Sequence, residues 1–146
     1  LEAVRAHRAE QDVLIMSAAV SDFAPASPLE TKMKKREGSL ASIDLRSTTD
    51  ILAETARTKR SGQTLVGFAL EKGDRAEDYA LSKLREKDLD LVVLNNLAEP
   101  GAGFGHDTNR VTLFTRSGSR HALPLMTKAE CARAILQCIL DLPTTA

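Results

Sequence analysis

Four cationic side chains crowd into five positions of the chain, at Lys32, Lys34, Lys35 and Arg36. Charges this close repel one another unless water solvates them or an anion faces them. On a loop, such a cluster would be able to close over a triphosphate and neutralise the charge that develops on a leaving pyrophosphate. The alternative is a solvated surface loop, which is the commoner origin of a charge run.

Two further features would suit an anionic ligand. Asp22 follows an apolar run, where a carboxylate would hold a Mg²⁺-bound phosphate or a ribose, or would cap a turn. Residues 48–52 open a predicted helix, and the free N–H groups and dipole of a helix start attract anions. Every helix start has this property, so the second feature is weak alone.

A third candidate group combines an aromatic ring and two lysines. Phe68 is one of five aromatic residues, and the preceding Gly67 would let a ligand approach the backbone; the alternative is a core phenylalanine. Lys83 and Lys87 share a predicted helical face with Tyr79 and would grip a phosphate or ribose together, or form a solvated face. In α/β sheets the helix N-terminus lies nearest the ligand edge, which counts against the two lysines.

Composition excludes several classes of function. The 146 residues balance 20 Lys and Arg against 20 Asp and Glu, which gives no reason to expect nucleic acid or an anionic membrane as a partner.

The only cysteines, Cys131 and Cys138, lie two helical turns apart, too far to bridge, and we interpret both as buried thiols in a reducing compartment. The three histidines are predicted to be surface residues: His7, His106 and His121.

Three apolar runs must position these residues. Residues 12–19, 64–70 and 89–95 read as buried parallel strands, with a predicted helix in each of the two gaps. Residues 110–116 and 121–125 alternate around a turn and predict a hairpin. The fold class predicted is therefore α/β, a mostly parallel sheet with a C-terminal antiparallel hairpin, and ligands should bind beyond the C-terminal ends of the strands.

Capping patterns mark where the helices begin. Three pairs have the spacing of a capping box or a related cap, and they predict helices that start near residues 47, 74 and 127. The pairs are Ser47 with Asp50, Asp74 with Glu77, and Thr127 with Glu130. An additional helix is predicted over residues 1–11, and a strand over 42–46.

The order of these motifs resembles the phosphopantothenate–cysteine ligase (CoaB) domain of the bacterial coenzyme A biosynthesis bifunctional protein family, CoaBC. Single motifs are short and unspecific, but the ordered series, from about residue 13 to residue 140, is quite specific. The matching segments are AAVSDF (18–23), KMKK (32–35), TDIL (49–52), VGFALE (66–71), the helix lysines Lys83 and Lys87, and Asn95 followed by Gly103, Phe104, Asp107, Asn109, Val111 and Leu113.

The resemblance implies a Rossmann-like fold and a cytoplasmic homodimer. It implies that CTP, with Mg²⁺, activates the carboxylate of 4′-phosphopantothenate as an acyl-cytidylate, which the amine of cysteine then attacks. Lys32 is the residue to which the resemblance assigns the catalytic role, and Asp22 is a possible metal contact. The implied nucleotide contacts are Met16, Ser17, Ala18, Asp22, Lys32, Thr49, Asp50, Ile51, Leu52, Phe68, Lys83 and Lys87.

The chain departs from the family pattern at several positions. Leu70, Lys72 and Asn96 replace the usual Ala, Thr and Asp, while Ser21 and Thr49 are milder changes.

The family's Gly-rich phosphate-binding segment and its catalytic asparagine do not precede Leu1. We therefore expect residues 1–146 to be the C-terminal portion of a single ligase domain, a partial domain that is inactive alone. The flavin (FMN) of the family is expected only in a separate decarboxylase domain that this chain does not contain.

Two other functions compete with the ligase. A nicotinamide-dependent oxidoreductase would need a GxGxxG turn between a strand and a helix, whereas the glycines at 101, 103 and 105 precede a hairpin. A non-catalytic nucleotide-binding or assembly module stays open.

Overall fold

The computed structural model describes residues 1–28, 30, 42–98 and 105–143. The chain divides into two compact units, one formed by Leu1–Ser17 with Ile51–Ala146 and the other by Ala18–Asp50. In chain order the elements are α1 (Glu2–His7), a short 3-10 turn (Arg8–Glu10), β1 (Val13–Met16), β2 (Phe23–Pro25), β3 (Leu45–Ser47), α2 (Ile51–Ala56), β4 (Thr64–Glu71), α3 (Ala76–Glu86), β5 (Leu91–Asn96), β6 (Thr108–Asn109), β7 (Val111–Thr115), β8 (Arg120–Ala122), β9 (Met126–Thr127) and α4 (Lys128–Leu140).

The larger unit contains a five-stranded sheet in the order β1-β4-β5-β7-β8. β1 pairs with β4 and β4 with β5 in parallel, while β7 and β8 continue the sheet antiparallel. The predicted α/β class, the parallel strands and the terminal hairpin are confirmed. β1 is shorter than the predicted run of 12–19, because its pairing ends where Met16 meets Gly67 and the chain then passes into the other unit.

Helices cover both faces of the sheet, which explains why the parallel strands are near-continuous apolar runs. On one face the buried core consists of Leu52, Leu65, Ala69, Ala76, Ala80, Leu84, Leu89, Val92, Leu94 and Phe114. On the other face it consists of Val66, Leu91, Val93, Val111, Leu113, Cys131, Ile135 and Ile139. Helix α3 therefore packs on the first face and helix α4 on the second.

The smaller unit is built on an antiparallel pair of strands, β2 and β3, in which Phe23 lies opposite Ser47. The Thr48 hydroxyl donates to the backbone oxygen of Ser21 at 2.6 Å, and the Thr48 amide donates to that of Asp22 at 2.9 Å. The helix start predicted at Ser47 is wrong, because Ser47 is held in β3 and α2 begins at Ile51.

The other two capping predictions have opposite outcomes. Thr127 and Glu130 form the predicted reciprocal capping box at the start of α4. The predicted Asp74 cap is wrong: α3 begins at Ala76 without a side-chain capping bond, and Glu77 pairs with Arg120 instead. The nearby guanidinium offers that carboxylate a stronger partner than the helix amides do.

The histidines and Cys131 match their predicted surroundings, whereas Cys138 is less buried than predicted. Cys131 is buried and Cys138 half-buried, both are free thiols, and burial raises the pKa of each. The side chains of His7, His106 and His121 are exposed. Within the described residues, no helix is long and apolar enough to cross a membrane.

Candidate functional site

The side chain of Lys83 reaches the sheet at the end of β1. Its Nζ donates to the backbone oxygen of Phe68 at 2.6 Å. Since the last pair between β1 and β4 joins Met16 to Gly67, this contact lies one residue beyond the point where β1 stops. A cation from the later turns of α3 is therefore brought to the C-terminal end of a parallel strand, where α/β sheets bind ligands.

The two flanks of α3 face opposite edges of the sheet. Glu77 pairs with Arg120 on the edge strand β8, at 2.6 Å, whereas Lys83 contacts β4 on the other side. Tyr79 lies one turn before Lys83 on that second flank and is 48% exposed. The guanidinium carbon of Arg75 lies 5.2 Å from the centroid of the Tyr79 ring.

Gly67 allows α2 to approach the sheet closely. A Cβ at this position would lie 2.7 Å from Leu89 Cδ1 and 2.9 Å from Leu52 Cδ2. Leu52 is buried, and Met16 packs on the same core from the end of β1. The predicted site residues Met16 and Leu52 are therefore brought to the face on which α3 lies, although the Leu52 side chain belongs to the core, which leaves only its backbone for a ligand.

The ring of Phe68 lies on the opposite face of the sheet from Lys83. It packs against the core that α4 covers, so it is the backbone oxygen of Phe68, and not its ring, that meets the lysine. The ring is half-buried, so part of its surface stays exposed beside that core. Ile51, the first residue of α2, is half-buried, and its backbone oxygen accepts from the Thr55 hydroxyl at 2.6 Å.

Lys87 occupies the other end of α3. It is the C-cap residue of the helix, half-buried, and its amide donates to the Lys83 backbone oxygen at 3.1 Å. In a strand–helix–strand crossover this end of the helix lies toward the N-terminal edge of the next strand, away from the ligand edge. The geometric objection raised by the sequence is strongest for Lys87, whereas the Lys83 side chain, one turn earlier, reaches the sheet at Phe68.

Several predicted contacts belong to the smaller unit or lie outside the described residues. Ala18, Asp22, Thr49 and Asp50 are exposed parts of the smaller unit, and Ser17 is exposed at the end of the larger one. The basic cluster falls outside the described residues, and with it the catalytic candidate Lys32.

The side-chain amide of Asn95 has a buried oxygen that the sequence analysis did not identify. Its Oδ1 is buried and accepts no hydrogen bond from any described residue. The residue is the penultimate one of β5 and lies opposite Leu70 and Val111, toward the ligand edge of the sheet. A buried acceptor left without a donor costs about 1–3 kcal/mol, and such costs are often met at functional sites.

A well-buried ion-pair network lies at the other end of the strands. Asp90, directly before β5, accepts from Lys59 Nζ and from the Leu65 amide, both at 2.6 Å, and from Arg116 Nε at 3.2 Å. The hydrogen bond from Arg116 also lowers the pKa of Asp88. Because this network fixes the N-terminal ends of the strands, we assign it a structural role.

Among the described residues there is no cluster of three or more His, Cys, Asp or Glu side chains able to hold a metal. A Mg²⁺ ion held mainly by nucleotide phosphates, with one carboxylate such as Asp22, would need no such cluster.

The chain matches the family model described as the DNA/pantothenate metabolism flavoprotein C-terminal domain, over residues 1–142. The chain belongs to this family. It is 45% identical over 141 residues to the coenzyme A biosynthesis bifunctional protein CoaBC of Bacillus subtilis, covering 97% of this chain and 34% of that protein. It is 47% identical over 133 residues to a protein of an unknown prokaryotic organism named cysteine/cysteine sulfinic acid decarboxylase, covering 91% of this chain and 36% of that one.

Solved structures agree with this assignment. The crystal structure of the C-terminal domain of a CoaBC protein aligns with a TM-score of 0.73 and 40% identity, over 94% of this chain and 60% of that one. The chain thus spans about a third of the length of the curated relatives. The CoaBC resemblance and the Rossmann-like α/β fold predicted from the sequence are confirmed.

Proposed function

We propose that this chain supplies the nucleotide-binding part of a CTP-dependent phosphopantothenate–cysteine ligase. The observation that carries the proposal is the contact between Lys83 and the Phe68 backbone, which holds a cation on the sheet level with the C-terminal end of β1. Membership of a family with CoaBC relatives at 45% identity supports the reaction class.

The reaction proceeds in two steps. A carboxylate oxygen of 4′-phosphopantothenate attacks the α-phosphorus of CTP, and the bond to the β,γ-pyrophosphate breaks. The amine of cysteine then attacks the acyl carbon of the resulting acyl-cytidylate, forming an amide and releasing CMP. Both steps build negative charge on phosphate oxygens, so fixed cations near those oxygens stabilise the transition states.

Individual residues have distinct roles in this proposal. Lys83 binds the nucleotide phosphates, for which it exchanges or shares its contact with Phe68. Lys32 stabilises the developing phosphate or carboxylate charge, and Asp22 helps to hold the Mg²⁺ that arrives with CTP. The protein is proposed to work as a cytoplasmic homodimer, within a longer chain that provides the rest of the active site.

The name of the decarboxylase relative points to another activity, and a non-catalytic nucleotide-binding module is the third possibility. The matched segment covers 36% of that relative, so its name describes a much longer protein. The contact that Lys83 makes with the sheet favours an anionic ligand for this segment.

Calorimetric titration of this chain with Mg²⁺–CTP, Mg²⁺–ATP and NADH separates the possibilities. The ligase proposal predicts saturable binding of CTP with weaker ATP and NADH. Preference for NADH would support the oxidoreductase alternative, and preference for ATP would retain the ligase reaction but change the nucleotide. A parallel measurement of CO₂ release from cysteine would test the activity in the relative's name.

A further inference from the structure

Tyr79 lies closer to the ligand edge of the sheet than Lys83 does. Helix α3 begins at that edge and runs away from it, and Tyr79 precedes Lys83 by four residues on the same flank. With a rise of about 1.5 Å per residue, the tyrosine lies roughly 6 Å nearer the edge. A ligand that extends from Lys83 toward the strand ends along this flank of α3 would therefore contact Tyr79.

The surroundings of Tyr79 are those of a binding ring rather than a core ring. The side chain is 48% exposed, although the neighbouring positions Ala76 and Ala80 of the same helix are fully buried. Arg75 places its guanidinium over the ring at 5.2 Å. A cation over an aromatic ring is attracted to the electron-rich face of that ring and restrains its orientation.

We propose that Tyr79 contacts the nucleoside part of the bound nucleotide, with its ring against the base or ribose, while Lys83 binds the phosphates. This inference rests on the proposed function, because it assumes that a nucleotide binds at this edge. The chemistry is the stacking of a flat aromatic ring on a nucleoside, which is tolerant of sequence because every base has a π face. No charge on the tyrosine is needed, so an inorganic polyphosphate should bind without it.

The composition of the chain makes a direct test possible. Tyr79 is the only tyrosine and there is no tryptophan, so ultraviolet emission of the 146-residue chain reports this ring alone. We expect Mg²⁺–CTP to quench the emission saturably, with the same dissociation constant as calorimetry gives. Inorganic triphosphate should bind calorimetrically without quenching, and free tyrosine amide at the same CTP concentrations corrects for absorption of the exciting light.

Variants separate the two parts of the ligand. Tyr79→Ala should weaken CTP binding about tenfold or more, as loss of one stacking contact would, and should leave inorganic triphosphate unchanged. Tyr79→Phe keeps the ring and should bind CTP as the parent does. Lys83→Ala should weaken both ligands, and circular dichroism would establish that each variant is folded.

The outcomes distinguish this inference from the proposal on which it rests. Saturable binding heat for CTP, with unchanged tyrosine emission and a Tyr79→Ala variant of parent affinity, would overturn the role of Tyr79 and leave the nucleotide site standing. Absence of binding heat for CTP, ATP and inorganic triphosphate at millimolar concentration would overturn both.

Discussion

Lys83 donates from its Nζ to the backbone oxygen of Phe68, at 2.6 Å, although the two residues lie fifteen positions apart. The contact connects a late turn of α3 to the strand end where the parallel pairing of β1 has just stopped. It therefore holds the Lys83 ammonium group level with the C-terminal end of β1, within the length of β4.

Replacement of Lys83 by Ala should weaken CTP binding about 10- to 100-fold, the range expected for a lost charge-assisted hydrogen bond to phosphate. Calorimetric titration measures the change. Arg85→Ala is the matched control, because Arg85 is exposed and points away from the Lys83 flank. Equal affinities for the parent and the Lys83 variant would mean that Lys83 serves only to anchor α3.

Replacement of Gly67 by Ala should destabilise the fold by about 1–3 kcal/mol, the usual cost of overpacking. The added methyl group would meet Leu89 at 2.7 Å and Leu52 at 2.9 Å, inside contact distance. Urea unfolding gives the free energy. The double variant with Leu52→Ala should lose less unfolding free energy than the sum of the two single variants, because the clash with Leu52 is then removed. Strictly additive losses would show that Gly67 and Leu52 are not in close contact.

Asp90 should be among the most sensitive positions for stability. Its side chain is 9% exposed and that of Lys59 is 12% exposed, so Asp90→Ala would leave a buried ammonium and two donors without their acceptor. We expect a loss of about 3–5 kcal/mol in the free energy of unfolding. Lys59→Met should cost less, because Asp90 keeps the Leu65 amide and Arg116; a larger loss for Lys59→Met would contradict this interpretation of the network.

Acid should weaken the contact of Asp88 with Arg116. The guanidinium hydrogen bond lowers the pKa of Asp88 below its ordinary value, so the folded chain binds fewer protons than the unfolded chain in that interval. The contribution is complete above the ordinary pKa of about 4 and disappears as the pH falls through the lowered pKa. Since Asp88 is 63% exposed, we expect less than about 1 kcal/mol at neutral pH.

The substitution Asp88→Asn tests this pH dependence. Asp88 has a φ of 48°, a left-handed conformation that Asn also tolerates. Unfolding followed from pH 7 to pH 2 should show a stability gap between the parent and the variant that closes as the pH falls. A gap that stays constant would show that the backbone conformation, rather than the charge, sets the difference.

The sequence predicted the sheet because its strands are apolar runs with helical patterns between them, and burial on both faces leaves few alternatives. It could not locate the start of α2: Ser47 and Asp50 have capping spacing, but pairing with Phe23 holds Ser47 in a strand. Nor could it find the partner of Glu77, because Arg120 lies 43 residues away in the chain.

The candidate site was predicted less completely than the fold. A family pattern identifies Phe68 and Lys83 as contacts, but only the structure shows that the ring and the lysine lie on opposite faces and that the backbone oxygen joins them. The unpaired oxygen of Asn95 could not be predicted from the sequence. Whether a side-chain amide finds a hydrogen-bond partner depends on the side chains that folding brings near it.

The central claim is tested most directly by joining this chain to the N-terminal two thirds of the Bacillus subtilis relative and assaying the fusion with CTP, cysteine and 4′-phosphopantothenate. We predict one CMP and one pyrophosphate per phosphopantothenoylcysteine formed, loss of turnover in the fusion carrying Lys32→Gln, and no product from the 146-residue chain alone. A folded fusion that binds CTP without forming product, or one in which Lys32→Gln leaves turnover unchanged, would contradict the account.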